Sequence, residues 1–103
     1  MEKNWFVYIV ETEKGLLYTG ITTNLKRRFQ EHLKGKKGAK FFNLDRPKRI
    51  AYLSKVKNRS LATKIEISIK KLPKIKKLEL IKSNYPETRK YFLDLHLNKD
   101  TFV

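Results

Sequence analysis

The stretch Trp5-Phe6-Val7-Tyr8-Ile9-Val10 is an uninterrupted apolar run of six residues, all β-branched or aromatic. Such side chains lose rotamer freedom in a helix and pack well on a pleated surface, so the run reads as a buried strand. The polar segment Glu11-Thr12-Glu13-Lys14-Gly15 ends in a glycine that tolerates positive φ, after which Leu16-Leu17-Tyr18-Thr19 resumes strand character. This pattern predicts a hairpin with a short bulged loop. If Glu11 and Gly15 flank the loop, Tyr8 and Tyr18 stand opposite each other on one face.

Gly20 and the cluster Thr22-Thr23-Asn24 break the strand and offer caps for a helix beginning near Leu25, with an apolar stripe at Leu25, Phe29 and Leu33. A basic loop, Lys34-Gly35-Lys36-Lys37-Gly38, runs into Ala39-Lys40-Phe41-Phe42, and Pro47 marks a boundary. Arg49 to Ser54 reads as a third strand. Ser60 is placed to cap a second helix with apolar positions Leu61, Ala62, Ile65, Ile69 and Leu72. Pro73 stops that helix or starts the next, where Ile75, Leu78 and Ile81 form a stripe. Beyond Tyr85-Pro86, the alternation of Leu93, Leu95 and Leu97 with Asp94 and His96 fits a strand or a short helix equally. Strands that do not strictly alternate with helices predict an α+β layered domain. The expected organisation is one domain over residues 1–103, with a core at about 5–84 and a C-terminal extension at 85–103.

Composition then narrows the partner. Twenty-five Lys and Arg stand against ten Asp and Glu, a net charge of +15. That excess disfavours an enzyme for a small neutral substrate and favours a polyanion: DNA, RNA or an anionic membrane surface. The basic residues are spread over several elements rather than one amphipathic helix, which argues against the membrane. With 40% hydrophobic residues the chain is too apolar for a disordered basic tail. The absence of cysteine excludes disulfides, thiolate zinc sites and cysteine nucleophiles. The Trp5–Val10 run is too short for a membrane span or a secretory signal, and Glu11 and Glu13 follow it, so a cytoplasmic protein is expected.

At about 100° per residue, with Leu25 at zero, Phe29 falls near 40° and Leu33 near 80° on the first helix. His32 lies near −20° and Arg28 near −60°, leaning inward beside the stripe, whereas Arg27 (about 200°) and Glu31 (about 240°) point to solvent. Arg28 and His32, one turn apart, could converge on an anion; the bland reading is a boundary arginine and a satisfied core histidine. On the second helix Glu66 sits at the edge of the apolar face, amid Lys64, Lys70 and Lys71. A salt bridge would explain it, and so would one-carboxylate ligation of magnesium. Two tyrosines on one sheet face suit core packing, or could position or deprotonate a water.

Taken together, Phe6-Val7-Tyr8, then Tyr18-Thr19-Gly20, then Arg28 eight residues after that glycine, then His32, then Glu66, resemble the GIY-YIG nuclease superfamily. The first motif keeps only the tyrosine of Gly-Ile-Tyr in place; the second keeps Tyr and Gly with Thr between them. The run from Tyr18 to Arg28 is especially similar to the small stand-alone (UPF0213-type) members, where the Asn24 position is more often Asp. Gly38-Ala39-Lys40 and Leu80-Ile81-Lys82-Ser83-Asn84 also resemble that group, and the likeness spans about residues 5 to 86. It implies a small three-stranded antiparallel sheet flanked by helices. It also implies phosphodiester hydrolysis with one divalent metal, Mg2+ or Mn2+. By motif position Glu66 would hold the metal and Tyr8 would help activate the attacking water. Tyr18 and His32 would support that proton transfer or the phosphate, and Arg28 would stabilise the developing phosphoryl charge. DNA is the expected substrate, with Arg27, Lys36, Lys37 and Lys40 on the nucleic acid. Target choice would come from the chain's own basic surface or from a partner protein. Family members often add an asparagine after the glutamate's helix; here Leu78 stands at that distance and Asn84 is a loose candidate. The alternative is a nucleic-acid-binding module of the same fold with little or no catalysis. It explains the charge equally well, but not Glu66 and the paired tyrosines at the family spacing.

Overall fold

A computed structural model describes residues 4–33 and 45–94. Three strands, β1 (Trp5–Thr12), β2 (Leu17–Thr22) and β3 (Pro47–Val56), form one antiparallel sheet in the order β2-β1-β3. Helix α1 (Leu25–Leu33) follows β2; α2 (Arg59–Lys70), α3 (Lys74–Ser83) and α4 (Tyr85–Asp94) follow β3. The apolar run does not alternate because β1 is central and both its faces are covered. Phe6, Tyr8 and Val10 pack with Leu25 and Phe29 of α1 and with Ile50 and Leu53 of β3. Val7 and Ile9 pack on the other face with Tyr52 and with Ala62 and Ile69 of α2. Burying a side chain such as Ile9 contributes about 1.5–3 kcal/mol, and β1 buries five in succession.

A bulge between Ile9 and Val10, which pair with Tyr52 and Ile50, lets Ile50 and Leu53 share a face although three residues apart.

The hairpin departs from expectation in register. Tyr8 pairs with Gly20 and Val10 with Tyr18, so the tyrosines are diagonal rather than opposite. Gly15 carries φ +85° and is therefore the last residue of the loop, not the first of the strand. Thr12 N–H donates to Leu16 O at 2.9 Å and Gly15 N–H to Thr12 O at 3.0 Å, which closes the turn one residue later than predicted. Because Tyr18 is displaced by two positions relative to Tyr8, both rings stay on one face. Asp45 pins the loop: its carboxylate accepts from the Thr12 hydroxyl and from Lys14 N–H, the latter at 3.1 Å.

Asn24 caps α1, its Oδ1 accepting from Arg27 N–H at 3.0 Å, and Thr22 Oγ1 accepts from Asn24 N–H at 3.1 Å. The cap of α2 is Asn58 rather than Ser60: its extended backbone (φ −154°) frees Oδ1 to accept Leu61 N–H at 2.9 Å. Pro73 stands at the cap position of α3. There the predicted stripe holds at Ile81, which packs with Leu80 against the α2-side core, and fails at Ile75 and Leu78, which are exposed. The stretch from Tyr85 begins with a helix. Through it α4 closes the outer edge of β3: Leu53 N–H donates to Thr88 Oγ1 at 3.1 Å, and Leu53 O accepts from Asn84 Nδ2 at 3.1 Å. Among the described residues no helix is long and apolar enough to cross a membrane. Lys34, Lys36, Lys37, the Gly38-Ala39-Lys40 run, Phe41, Phe42, and Leu95 and Leu97 lie outside the described residues.

Candidate active site

Tyr8 is buried on the α1 face of the sheet, its ring lying across Gly20 of the neighbouring strand. A β-carbon at Gly20 would come within 2.5 Å of Tyr8 Oη and 2.6 Å of Cζ, so the glycine is there for space. Tyr18 stands diagonally on β2, its ring centroid 6.5 Å from that of Tyr8. The last turn of α1 brings His32 onto this pair. His32 Nε2 lies 2.9 Å from Tyr8 Oη in a hydrogen bond, and Tyr18 meets the imidazole edge-on, centroid to centroid 5.3 Å. Arg28, one turn earlier on the same face, brings its guanidinium charge to bear on the Tyr8 phenol. The inward lean assigned to Arg28 and His32 by the helical angles therefore places them on the tyrosines.

One angle misled. Glu31 does not point free into solvent: its Oε1 lies 3.2 Å from Arg28 Nη1. Residues three apart on a helix are neighbours, and Glu31 is within reach of Arg28 from the outer side.

These contacts set the protonation states. Burial lifts the Tyr8 phenol well above its ordinary range, Tyr18 and the Glu66 charge add to this, and Arg28 opposes it. Burial and then the Arg28 charge push His32 down to about 4, with Glu31 partly offsetting. Burial pulls Arg28 down too, but hydrogen bonds to Tyr8 and Glu31 outweigh it and leave the guanidinium raised. At neutral pH the cluster thus holds a neutral phenol, a neutral imidazole and a fixed cation.

Glu66 comes from a different direction. It stands on α2, the helix that covers the opposite face and packs against β2 and β1, and its charge is felt at Tyr8. Its side chain is 19% exposed and Oε2 lies 3.3 Å from Lys70 Nζ. Among the described residues no three His, Cys, Asp or Glu side chains gather as a metal cage. A single half-buried carboxylate nonetheless suits a magnesium-like ion, which keeps several waters and takes phosphate oxygens as further ligands. Arg27 is exposed on the outer side of α1. Asn84 is committed elsewhere, donating from Nδ2 to Leu53 O at 3.1 Å and Thr88 Oγ1 at 3.2 Å. Sequence reasoning missed the loop-pinning role of Asp45, which has no local signal, and the Arg28 partner Glu31, which the three-residue helical spacing could have found.

This chain, with a three-stranded sheet whose central tyrosine is bonded to a helix histidine, is a member of the GIY-YIG catalytic-domain family, whose model matches residues 4–79. Domains of this family are of nuclease type and generally use a divalent metal. Within it, the chain is 45% identical over 80 residues to a UPF0213 protein of Desulfotalea psychrophila, covering 78% of this chain and 73% of that one. It is also 45% identical over 84 residues to a UPF0213 protein of Syntrophus aciditrophicus, covering 82% and 95%. The solution NMR structure of the UPF0213 protein BH0048 from Bacillus halodurans superposes with a TM-score of 0.50 at 35% identity, covering 77% of this chain and 83% of that one.

Proposed function

We propose that this protein is a metal-dependent endonuclease that hydrolyses phosphodiester bonds, with DNA as substrate, in the cytoplasm. The observation that carries this reading is the Tyr8–His32 hydrogen bond of 2.9 Å with Arg28 against the same phenol. Arg28 would meet the phosphate as a preorganised cation, already oriented before charge develops on the phosphoryl oxygens. Tyr8 Oη would accept a proton from the attacking water as its own proton passes to His32 Nε2, so the phenol need never ionise fully. Tyr18 packs edge-on against the imidazole and holds its plane for that transfer. A divalent ion held by Glu66 would supply Lewis-acid polarisation of the phosphoryl group. Phosphate charge beside Arg28 would also offset the cation that depresses His32, making the imidazole a better base in the complex than in the free protein. The net +15 would draw the backbone to Arg27 and the lysines Lys36, Lys37 and Lys40 without reading sequence, leaving target choice to a partner protein.

Nicking of supercoiled DNA in Mg2+ or Mn2+ tests the reading. Glu66→Ala and Arg28→Ala should each lower cleavage by about 100-fold or more. Equal cleavage by wild type and both variants would sink the assignment. Tight, salt-dependent binding without any cleavage would instead identify a nucleic-acid-binding module of the same fold.

A further inference from the structure

Both charges assigned to the site are paired inside their own helices, but the two pairs differ. Arg28 and Glu31 are both largely covered, with side chains 24% and 16% exposed. In the other pair Glu66 is 19% exposed whereas Lys70 is 55% exposed, with its Nζ 3.3 Å from the carboxylate. A carboxylate held this far out of water needs a counter-charge. Lysine meets that need with a point charge on a flexible four-carbon stem and no bidentate grip, so the same side chain that pairs with Glu66 can leave for solvent at little cost. Because the lysine end of the pair is more than half exposed, solvent screens the attraction, which makes the exchange easy.

We propose that Lys70 is a placeholder cation: its ammonium neutralises Glu66 until a divalent ion arrives, then swings out, so that Lys70 sets the ion concentration at which the site loads. This rests on the reading of Glu66 as the metal-holding residue. The placeholder raises the threshold in two ways. The incoming ion must break the existing pair, and it must approach a like charge that stays tethered one helical turn away. The carboxylate is in return never left half-buried and uncompensated in the ion-free protein.

The test is Mn2+ binding to the full chain at low ionic strength, read as loss of the free-ion paramagnetic resonance signal, with no nucleic acid present. Lys70→Met should tighten Mn2+ binding by between about two- and tenfold. The lower bound is the loss of one surface pair and the upper bound adds the relieved repulsion. Lys70→Arg, which keeps the charge and adds a bidentate grip on the carboxylate, should bind Mn2+ no more tightly than wild type, and tighter binding would overturn the placeholder. Lys76→Met removes the same charge from α3, where Lys76 pairs with Glu79 at 3.3 Å, and should stay within about twofold of wild type. Unchanged or weaker binding by Lys70→Met, or an equal gain in Lys76→Met, overturns the placeholder. Glu66→Gln reports on the underlying reading separately: if it binds Mn2+ as wild type does, the metal assignment fails whatever Lys70 does. Far-ultraviolet circular dichroism of each variant confirms that the helices are intact.

Discussion

Gly20→Ala isolates the space that the Tyr8–His32 contact requires. The new β-carbon would stand 2.5 Å from Tyr8 Oη and 2.6 Å from Cζ, about 1 Å inside ordinary van der Waals contact. Tyr8 is 1% exposed, so its ring must tilt against His32 or push β2 outward. Overpacking of this kind costs about 1–3 kcal/mol, and loss of the bond to His32 adds about 0.5–1.5 kcal/mol. Reduced freedom of the unfolded chain returns about 0.4–1 kcal/mol. The net is a destabilisation of about 2 kcal/mol, and at about 4–8 °C per kcal/mol for a domain of this size Tm should fall by about 8–16 °C. Thermal melts followed by circular dichroism measure the fall, and nitrogen-15 shifts of the His32 ring report the broken bond. A Tm within about 2 °C of wild type together with unchanged ring shifts would refute the argument that Gly20 is a spacer for Tyr8.

Three further outcomes follow from buried polar groups. His32 titrates at about 4 in the fold against an ordinary 6.5, so the unfolded chain takes up its proton first. The stability due to His32 is therefore complete above about pH 6.5 and is lost as pH falls toward about 4, at no more than about 1.4 kcal/mol per pH unit. Urea melts across that window should show a steeper pH slope for wild type than for His32→Gln, and identical slopes would contradict it. Thr19 Oγ1 is buried with no hydrogen-bond partner among the described residues, so Thr19→Val should raise stability by about 1 kcal/mol; a lower urea midpoint would show that the hydroxyl is satisfied. Asn84→Ala removes donors to Leu53 O and Thr88 Oγ1 and should cost about 1–3 kcal/mol in the same melts; faster amide exchange in α4 than in α1 would mark where the clamp acts.

The candidate site was half legible in the chain. The period of α1 was enough to turn Arg28 and His32 inward, because helical geometry alone fixes which residues share a side. The turn at Gly15 was visible too, but placing it one residue early exchanged Gly20 for Tyr18 as the partner of Tyr8. Gly20 looked like a strand breaker; only the pairing register turned it into the floor beneath a phenol. Glu31 was assigned to solvent by its angle, yet arginine is long enough to reach back to it.

Strand and helix identity, the inward face of α1 and the excess of positive charge are properties of near neighbours, and near neighbours are what a sequence displays. The Tyr8–His32 bond joins residues 24 apart, the Thr12–Asp45 bond 33 apart and the Leu53–Thr88 bond 35 apart. Such pairs depend on how the sheet registers and which helix covers which face, and those are settled by packing the whole core at once. Tertiary structure therefore decided that Glu66 is carried by the helix on the far face of the sheet, whereas His32 meets the phenol from the near one.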